Sequence, residues 1–302
     1  VINKPEEKMR KKFFNILSNV FLIACIMSTI YMFFIYMRVT SDDMVVALQN
    51  EVDYPIYTGS NVFEYWKSTL TDEQKVLYEE IKESYLQFKE QFGTKVKKIN
   101  DEDFDKVFDA VVLDHPEIFW IDSYSTIITL NNYINTSKII QLRYSYTKEE
   151  AKEVKARIEP KYNEIIEEAK KRSTDYDKIK YVHDKLIEIS QYHEYTPDQV
   201  NSYQSIVSIF DIGDTVCAGY AYGFKFIMDN LGIKAIASSD VSHEEDQSRN
   251  HIWNMVNLDG RWYNIDVTWD QNNGNGIIYN YFLKDNDEFY KDHIMQEGIP
   301  QT

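Results

Sequence analysis

Asp214-Thr-Val-Cys217-Ala-Gly-Tyr-Ala-Tyr222 is followed along the chain by Asn250-His251-Ile-Trp253-Asn254, and then by Trp262-Tyr-Asn-Ile-Asp266-Val-Thr-Trp269-Asp270. A thiol, an imidazole and a carboxylate arrive in that order. They are the three groups that acyl transfer at a cysteine uses: a nucleophile, a base beside it and a group that orients the base.

Ala221, Phe224, Met228 and Leu231 follow Cys217 at spacings of 4, 7, 11 and 14, an apolar stripe of helical period that Gly232 closes. The spacing predicts a helix that begins at Cys217 with the thiol turned inward. A lone cysteine on such a stripe is most often a small core hydrophobe. Here Asp214 and Thr215 are placed to cap the helix, which would put the sulfur among unpaired N–H groups at the positive end of the helix dipole. Gly219 leaves room for an approach to the first turn.

Asp259-Gly260 is a two-residue type I′ hairpin signal between apolar runs. With those two residues as the loop, Leu258 faces Arg261, Met255 faces Asn264, Trp253 faces Asp266 and His251 faces Thr268. His251 and Asp266 then share one sheet face as diagonal neighbours about 7–8 Å apart. A loop one residue longer or shorter would put them on opposite faces. His251 alone would pass for an ordinary strand residue; an in-register carboxylate and a helix-start cysteine point to chemistry.

Cys-Ala-Gly-Tyr-Ala at 217–221, His-x-Trp-Asn-x-Val at 251–256 and Trp-Tyr-x-Ile-Asp-x-Thr-Trp-Asp at 262–270 together resemble the transglutaminase-like superfamily. The resemblance runs from about residue 150 to 295 and takes in Tyr281-Phe-Leu-Lys-Asp, expected as a strand with a helix after it. It implies a papain-like α+β core in which the nucleophile helix packs on an antiparallel sheet carrying His and Asp. It also implies Cys217 as nucleophile, His251 as base and then acid, and Asp266 as orienter. Gln204 and Trp253 are candidates for oxyanion or substrate contact beside the Cys217 backbone N–H. No cofactor is implied.

The chain has 302 residues, 43% hydrophobic and 15% aromatic, enough to bury a core. Six basic and two acidic residues precede position 39, so the remainder carries a formal charge of −20 against −16 for the whole. Such acidity keeps a domain soluble and argues against nucleic acid as a partner. The two cysteines, Cys25 and Cys217, give neither a disulfide framework nor a thiolate metal site.

No metal site is expected elsewhere. Asp270–Gly276 departs from a calcium loop, with Gly274 where an oxygen ligand belongs and Tyr281 where the bidentate Glu belongs, and it reads as a turn. His243, beside Glu244, Glu245 and Asp246, reads as a solvated loop.

Phe13 to Met37 is apolar and uncharged, long enough at about 1.5 Å per residue to cross a hydrocarbon core of about 30 Å. Met37-Arg-Val-Thr-Ser-Asp-Asp offers no signal-peptidase pattern, and the basic residues precede the run. The expectation is a single-pass anchor with its N-terminus cytoplasmic and the rest outside the cell. The expected organisation is 1–40 basic tail and membrane anchor, 41–147 a smaller α+β region, and 148–302 the catalytic domain.

Within the middle region, Thr71-Asp-Glu-Gln74 predicts a capped helix ending near Gly93, and Asp101–Leu113 a second helix that His115-Pro116 stops. Strands are expected at 118–121, 124–130 and 138–146. His115 reads as a turn residue. Thr147-Lys-Glu-Glu150 opens a charged helix that Pro160 should kink, and Thr174 caps another whose apolar stripe His183 borders as packing.

These readings give a surface cysteine acyltransferase or hydrolase working through a thioester on protein or peptide substrates. The alternatives are a peptidase of the same fold and a non-catalytic binding or scaffolding module.

Overall fold

A computed structural model describes residue 31 and residues 61–94, 96, 100–122, 126–131, 136–193, 204–240, 251–272 and 276–302. The expected membrane span and His243 lie outside the described residues, Tyr31 excepted. Among the described residues no helix is long and apolar enough to cross a membrane. Everything described from residue 61 onward belongs to one compact unit.

In chain order the elements are α1 (Tyr65–Thr69), α2 (Asp72–Leu86), β1 (Gln91–Gly93), α3 (Asp101–Asp114), β2 (Thr126–Asn131), β3 (Thr136–Gln141), α4 (Lys148–Lys170) and α5 (Asp175–Glu188). There follow β4 (Gln191–Tyr192), a π-helical turn at Ser208–Ile212, β5 (Asp214–Thr215), α6 (Cys217–Leu231), β6 (Ala235–Asp240), β7 (His251–Leu258), β8 (Arg261–Ile265), α7 (Val267–Asp270) and α8 (Asn286–Phe289). The sheets run β1-β3-β2, β4-β5 and β6-β7-β8, the first and last antiparallel.

Three of the capping signals work as read. Thr71 with Gln74 and Thr147 with Glu150 form capping boxes, and the Thr174 side chain accepts from Asp177 N. α4 runs unbroken through Pro160.

Three expectations change. The helix from Thr71 ends at Leu86, not near Gly93, because Lys89 N bonds back to Ser84 O while Phe88 takes the left-handed conformation (φ 54°) usual for glycine. Phe88 is held there by stacking on Trp120 and Tyr144, each 5.2 Å between ring centroids. Gln91–Gly93 is instead a strand. Residues 118–121 form turns with a single bridge, Ile121 to Tyr144, and Tyr281–Asp285 is not a strand but joins β8 through a bridge from Lys284 to Asn264, with Asp266 N donating to Tyr281 O at 3.0 Å.

α6 is buried on almost every face, from Gly219 to Asp229, and packs on β7 and β6. The upstream region is tied into the same core. Trp66 Nε1 donates to Ala237 O at 2.8 Å, and Phe63 N donates to Asp229 on α6 at 3.2 Å.

Asp114, fully buried at the end of α3, accepts from Trp66 N, Lys67 N and Tyr78 Oη, each at 3.0 Å. Asp114→Asn keeps the shape but turns an NH2 group toward donors, so we expect a loss of about 2 kcal/mol, read as a lower midpoint of urea unfolding.

Candidate active site

Five residues of backbone decide where the thiol stands. Gly213, at φ 75°, ends the π-helical turn, and β5 then pairs in parallel with β4 before the chain turns into α6 at Cys217. The residue before the helix is Val216, and no side chain caps it. This corrects the expected capping by Asp214 and Thr215. The Asp214 carboxylate is bonded to His193 at 3.0 Å, and the Thr215 hydroxyl is paired with Ser208 Oγ at 2.6 Å. The Gly219 N–H donates to Val216 O at 3.1 Å, and with no side-chain cap from Val216 the N–H groups of Cys217 and Ala218 stand at the positive end of the helix.

The hairpin has the register expected of it. Met255 pairs with Asn264, Asn257 with Trp262 and Leu258 with Arg261, and Asp259 and Gly260 both have positive φ, 53° and 86°, as a type I′ turn requires. β8 ends at Ile265, three residues short of the expected pairing, so Trp253 is not paired with Asp266 and Thr268 lies in α7 rather than opposite His251. The break is made by Asp266, whose Oδ1 accepts from Trp269 N at 3.1 Å and starts α7. Its Oδ2 accepts from His251 Nε2 at 2.6 Å.

His251 and Cys217 line the same cleft, with the sulfur near enough to bear on the charge of the imidazole. Cys217, His251 and Asp266 are therefore brought together. His251 also stacks against Trp269, 5.2 Å between centroids and 22° between planes.

The charges follow from this packing. Burial would lower the His251 pKa, but the Asp266 carboxylate and the Cys217 sulfur outweigh it and raise it to about 10. Burial would raise the Asp266 pKa, yet His251 and a second imidazole, His293, hold it down at about 2.

Cys217 and His251 line a cleft of about 280 Å³. α3 supplies Asp109, Val112 and Leu113 to its wall, α6 supplies Ala218 and Tyr222, and Gln204 lines it as well. Burial pushes the Tyr222 phenol up, reinforced by Asp109 and Cys217. The upstream region thus forms part of the site, which its sequence did not announce.

Trp253 is not on the cleft wall. It is 1% exposed and packs behind His251 against Phe289 and His293, so it backs the imidazole rather than meeting substrate.

His293 is the residue that sequence reasoning passed over. Its Nε2 donates to Asp266 Oδ2 at 3.0 Å. No spacing pattern links it to the hairpin; its place in an Asp292-His293 pair after an aromatic run was the only signal. The ligand atoms of His251, Asp266 and His293 lie within 4.8 Å of one another, close enough in principle to hold a metal ion. All three are already engaged in hydrogen bonds among themselves.

His183, expected as packing, is fully buried and also polar in its contacts, 3.2 Å from Asp270 and 2.9 Å from Asp184. Asp270 in turn accepts from Tyr281 N at 2.9 Å, which fixes the segment just beyond Asp266.

Residues 163–267, which contain Cys217, His251 and Asp266, match the model of the transglutaminase-like superfamily. This stretch is a transglutaminase-like domain. The chain is similar in structure to a TGase, with 16% identity, coverage of 59% of this chain and 50% of that one, and a TM-score of 0.34. It is also similar to the periplasmic domain of TgpA from Pseudomonas aeruginosa, with 13% identity, coverage of 45% and 54%, and a TM-score of 0.27. The chain spans about half the length of each. No curated protein matches it. The transglutaminase-like match ends at residue 267, short of His293.

Proposed function

We propose that this chain is a cysteine acyltransferase or hydrolase acting on amide groups of proteins or peptides. The observation that carries the reading is the His251–Asp266 bond on a cleft that His251 shares with Cys217, the first residue of a helix with no side-chain cap.

In this reading His251 holds the proton that leaves Cys217, and the sulfur attacks the carbonyl carbon of a carboxamide or peptide bond. The C–N bond breaks as His251 returns the proton to the departing amine, leaving a thioester on Cys217. His251 then takes a proton from an incoming amine or water, which attacks the thioester and frees the thiol. First-turn N–H groups of α6 stabilise the oxyanion. The acidic wall residue Asp109 suits an amine-bearing acceptor better than a carboxylate.

The apolar run at 13–37 and the basic residues before it support display of this domain outside the cell on a single-pass anchor.

The test is incubation with a glutamine-containing protein and a labelled primary amine, wild type beside Cys217→Ala. Label incorporated by wild type alone is the expected result. Deamidated glutamine or peptide fragments instead would assign water as the acceptor, and no product of any kind would refute the catalytic reading in favour of a binding module.

A further inference from the structure

We infer that His293 is a positioning residue that holds the Asp266 carboxylate in the plane His251 needs; this rests on reading Cys217, His251 and Asp266 as the reacting set. Asp266 is fully buried and meets donors from three directions. Oδ1 accepts from Trp269 N at 3.1 Å, while Oδ2 accepts from His251 at 2.6 Å and from His293 at 3.0 Å. With Trp269 N alone behind it, the carboxylate could turn about its own axis; a second imidazole from another segment removes that freedom.

His293 is itself immobilised. Its Nδ1 is bonded to Asp292 Oδ1 at 2.9 Å, and Asp292 Oδ2 accepts from Tyr281 Oη at 2.7 Å. Its ring stacks on Phe289 at 3.9 Å between centroids and lies 4.1 Å from Trp269, the residue that also stacks on His251. A ring needed only to fill that aromatic cage would have no use for two polar edges aimed at two carboxylates. The network therefore runs from Tyr281 through Asp292, His293 and Asp266 to His251, which shares the cleft with Cys217.

The test separates packing from donation. His293→Phe keeps an aromatic ring and loses both ring nitrogens, whereas His293→Gln gives up the ring but can present an amide N–H close to the position of Nε2. The readout is the rate at which iodoacetamide alkylates Cys217 in the full chain at neutral pH, followed by mass spectrometry of the Cys217 peptide, so no substrate has to be known.

Wild type should react faster than a free cysteine. His293→Phe should fall by about tenfold or more and His293→Gln by no more than about threefold, as expected when a reacting group loses its alignment. A His293→Phe rate equal to wild type overturns the inference, and so does a loss in His293→Gln as deep as in His293→Phe. A wild-type rate no faster than free cysteine refutes the reading of Cys217 itself.

If His293→Phe does not fold, Asp292→Ala serves in its place, since that side chain is half exposed. It should slow alkylation severalfold, and an unchanged rate overturns the inference.

Discussion

Asp266→Asn is expected to lower kcat by about 10⁴-fold while leaving the fold intact, the size of loss known when the orienting carboxylate of a catalytic triad is replaced by its amide. The chain should still fold, at a cost of about 2 kcal/mol comparable to that of Asp114→Asn, because Asp266 has two separable tasks. As the residue that starts α7 it needs only an oxygen toward Trp269 N, and asparagine caps helices as well as aspartate does. As the partner of His251 it must carry negative charge, which asparagine lacks.

The pH profile should change with it. In the wild type, His251 has its pKa raised to about 10, so the stabilisation it draws from Asp266 is fully present below the ordinary histidine value and is lost as pH rises through about 10. Asp266 is depressed to about 2, so its share is present above the ordinary carboxylate value and is lost as pH falls through about 2. Activity that depends on the His251 proton should therefore show a basic limb near 10. In Asp266→Asn the burial that opposes protonation is no longer outweighed, and the limb should move to lower pH. Retention of activity within tenfold, with the basic limb unmoved, would show that Asp266 does not hold His251.

The contact between His251 and Asp266 was legible because a strand has a period of two and a hairpin with a two-residue loop has a defined register. Asp259-Gly260 sets that register, and from it two residues 15 apart in sequence fall on one face. The apolar stripe after Cys217 marked the helix start equally well. His293 and the wall of the cleft were not legible, since both depend on which distant segments pack together. His293 reaches Asp266 through the stacking of Phe289 and Trp269 around it, and Asp109 reaches the cleft because α3 is tied to α1 through Asp114. The failed capping by Thr215 has the same origin. A side chain that local rules assign to the helix end is claimed by Ser208, seven residues upstream.

That claim on Thr215 makes Gly219 the residue whose replacement should disturb the framework of the site most. Gly219 lies in the first full turn of α6, where alanine alone would favour the helix by about 1 kcal/mol. A Cβ built there would stand 1.8 Å from Thr215 Oγ1 and 2.4 Å from Ser208 Oγ, distances at which something must shift. Both hydroxyls are buried and bonded to each other, so neither can swing into solvent.

Overpacking of this kind costs about 3 kcal/mol, and the broken hydroxyl pair about 1 more. Gly219→Ala should therefore be less stable by about 3 kcal/mol despite its better helix propensity, and the displacement should reach Cys217 two residues away. A misplacement of about 1 Å at a reacting group costs about 10²-fold in rate.

The cause can be isolated with a second substitution. In a Thr215→Ala background the 1.8 Å contact is gone, and the penalty of Gly219→Ala should shrink by about 2 kcal/mol, with part of the Cys217 alkylation rate restored. An additive outcome, in which the two changes cost the same together as apart, would place the constraint on Gly219 at Ser208 Oγ, 2.4 Å from the added Cβ, rather than at Thr215.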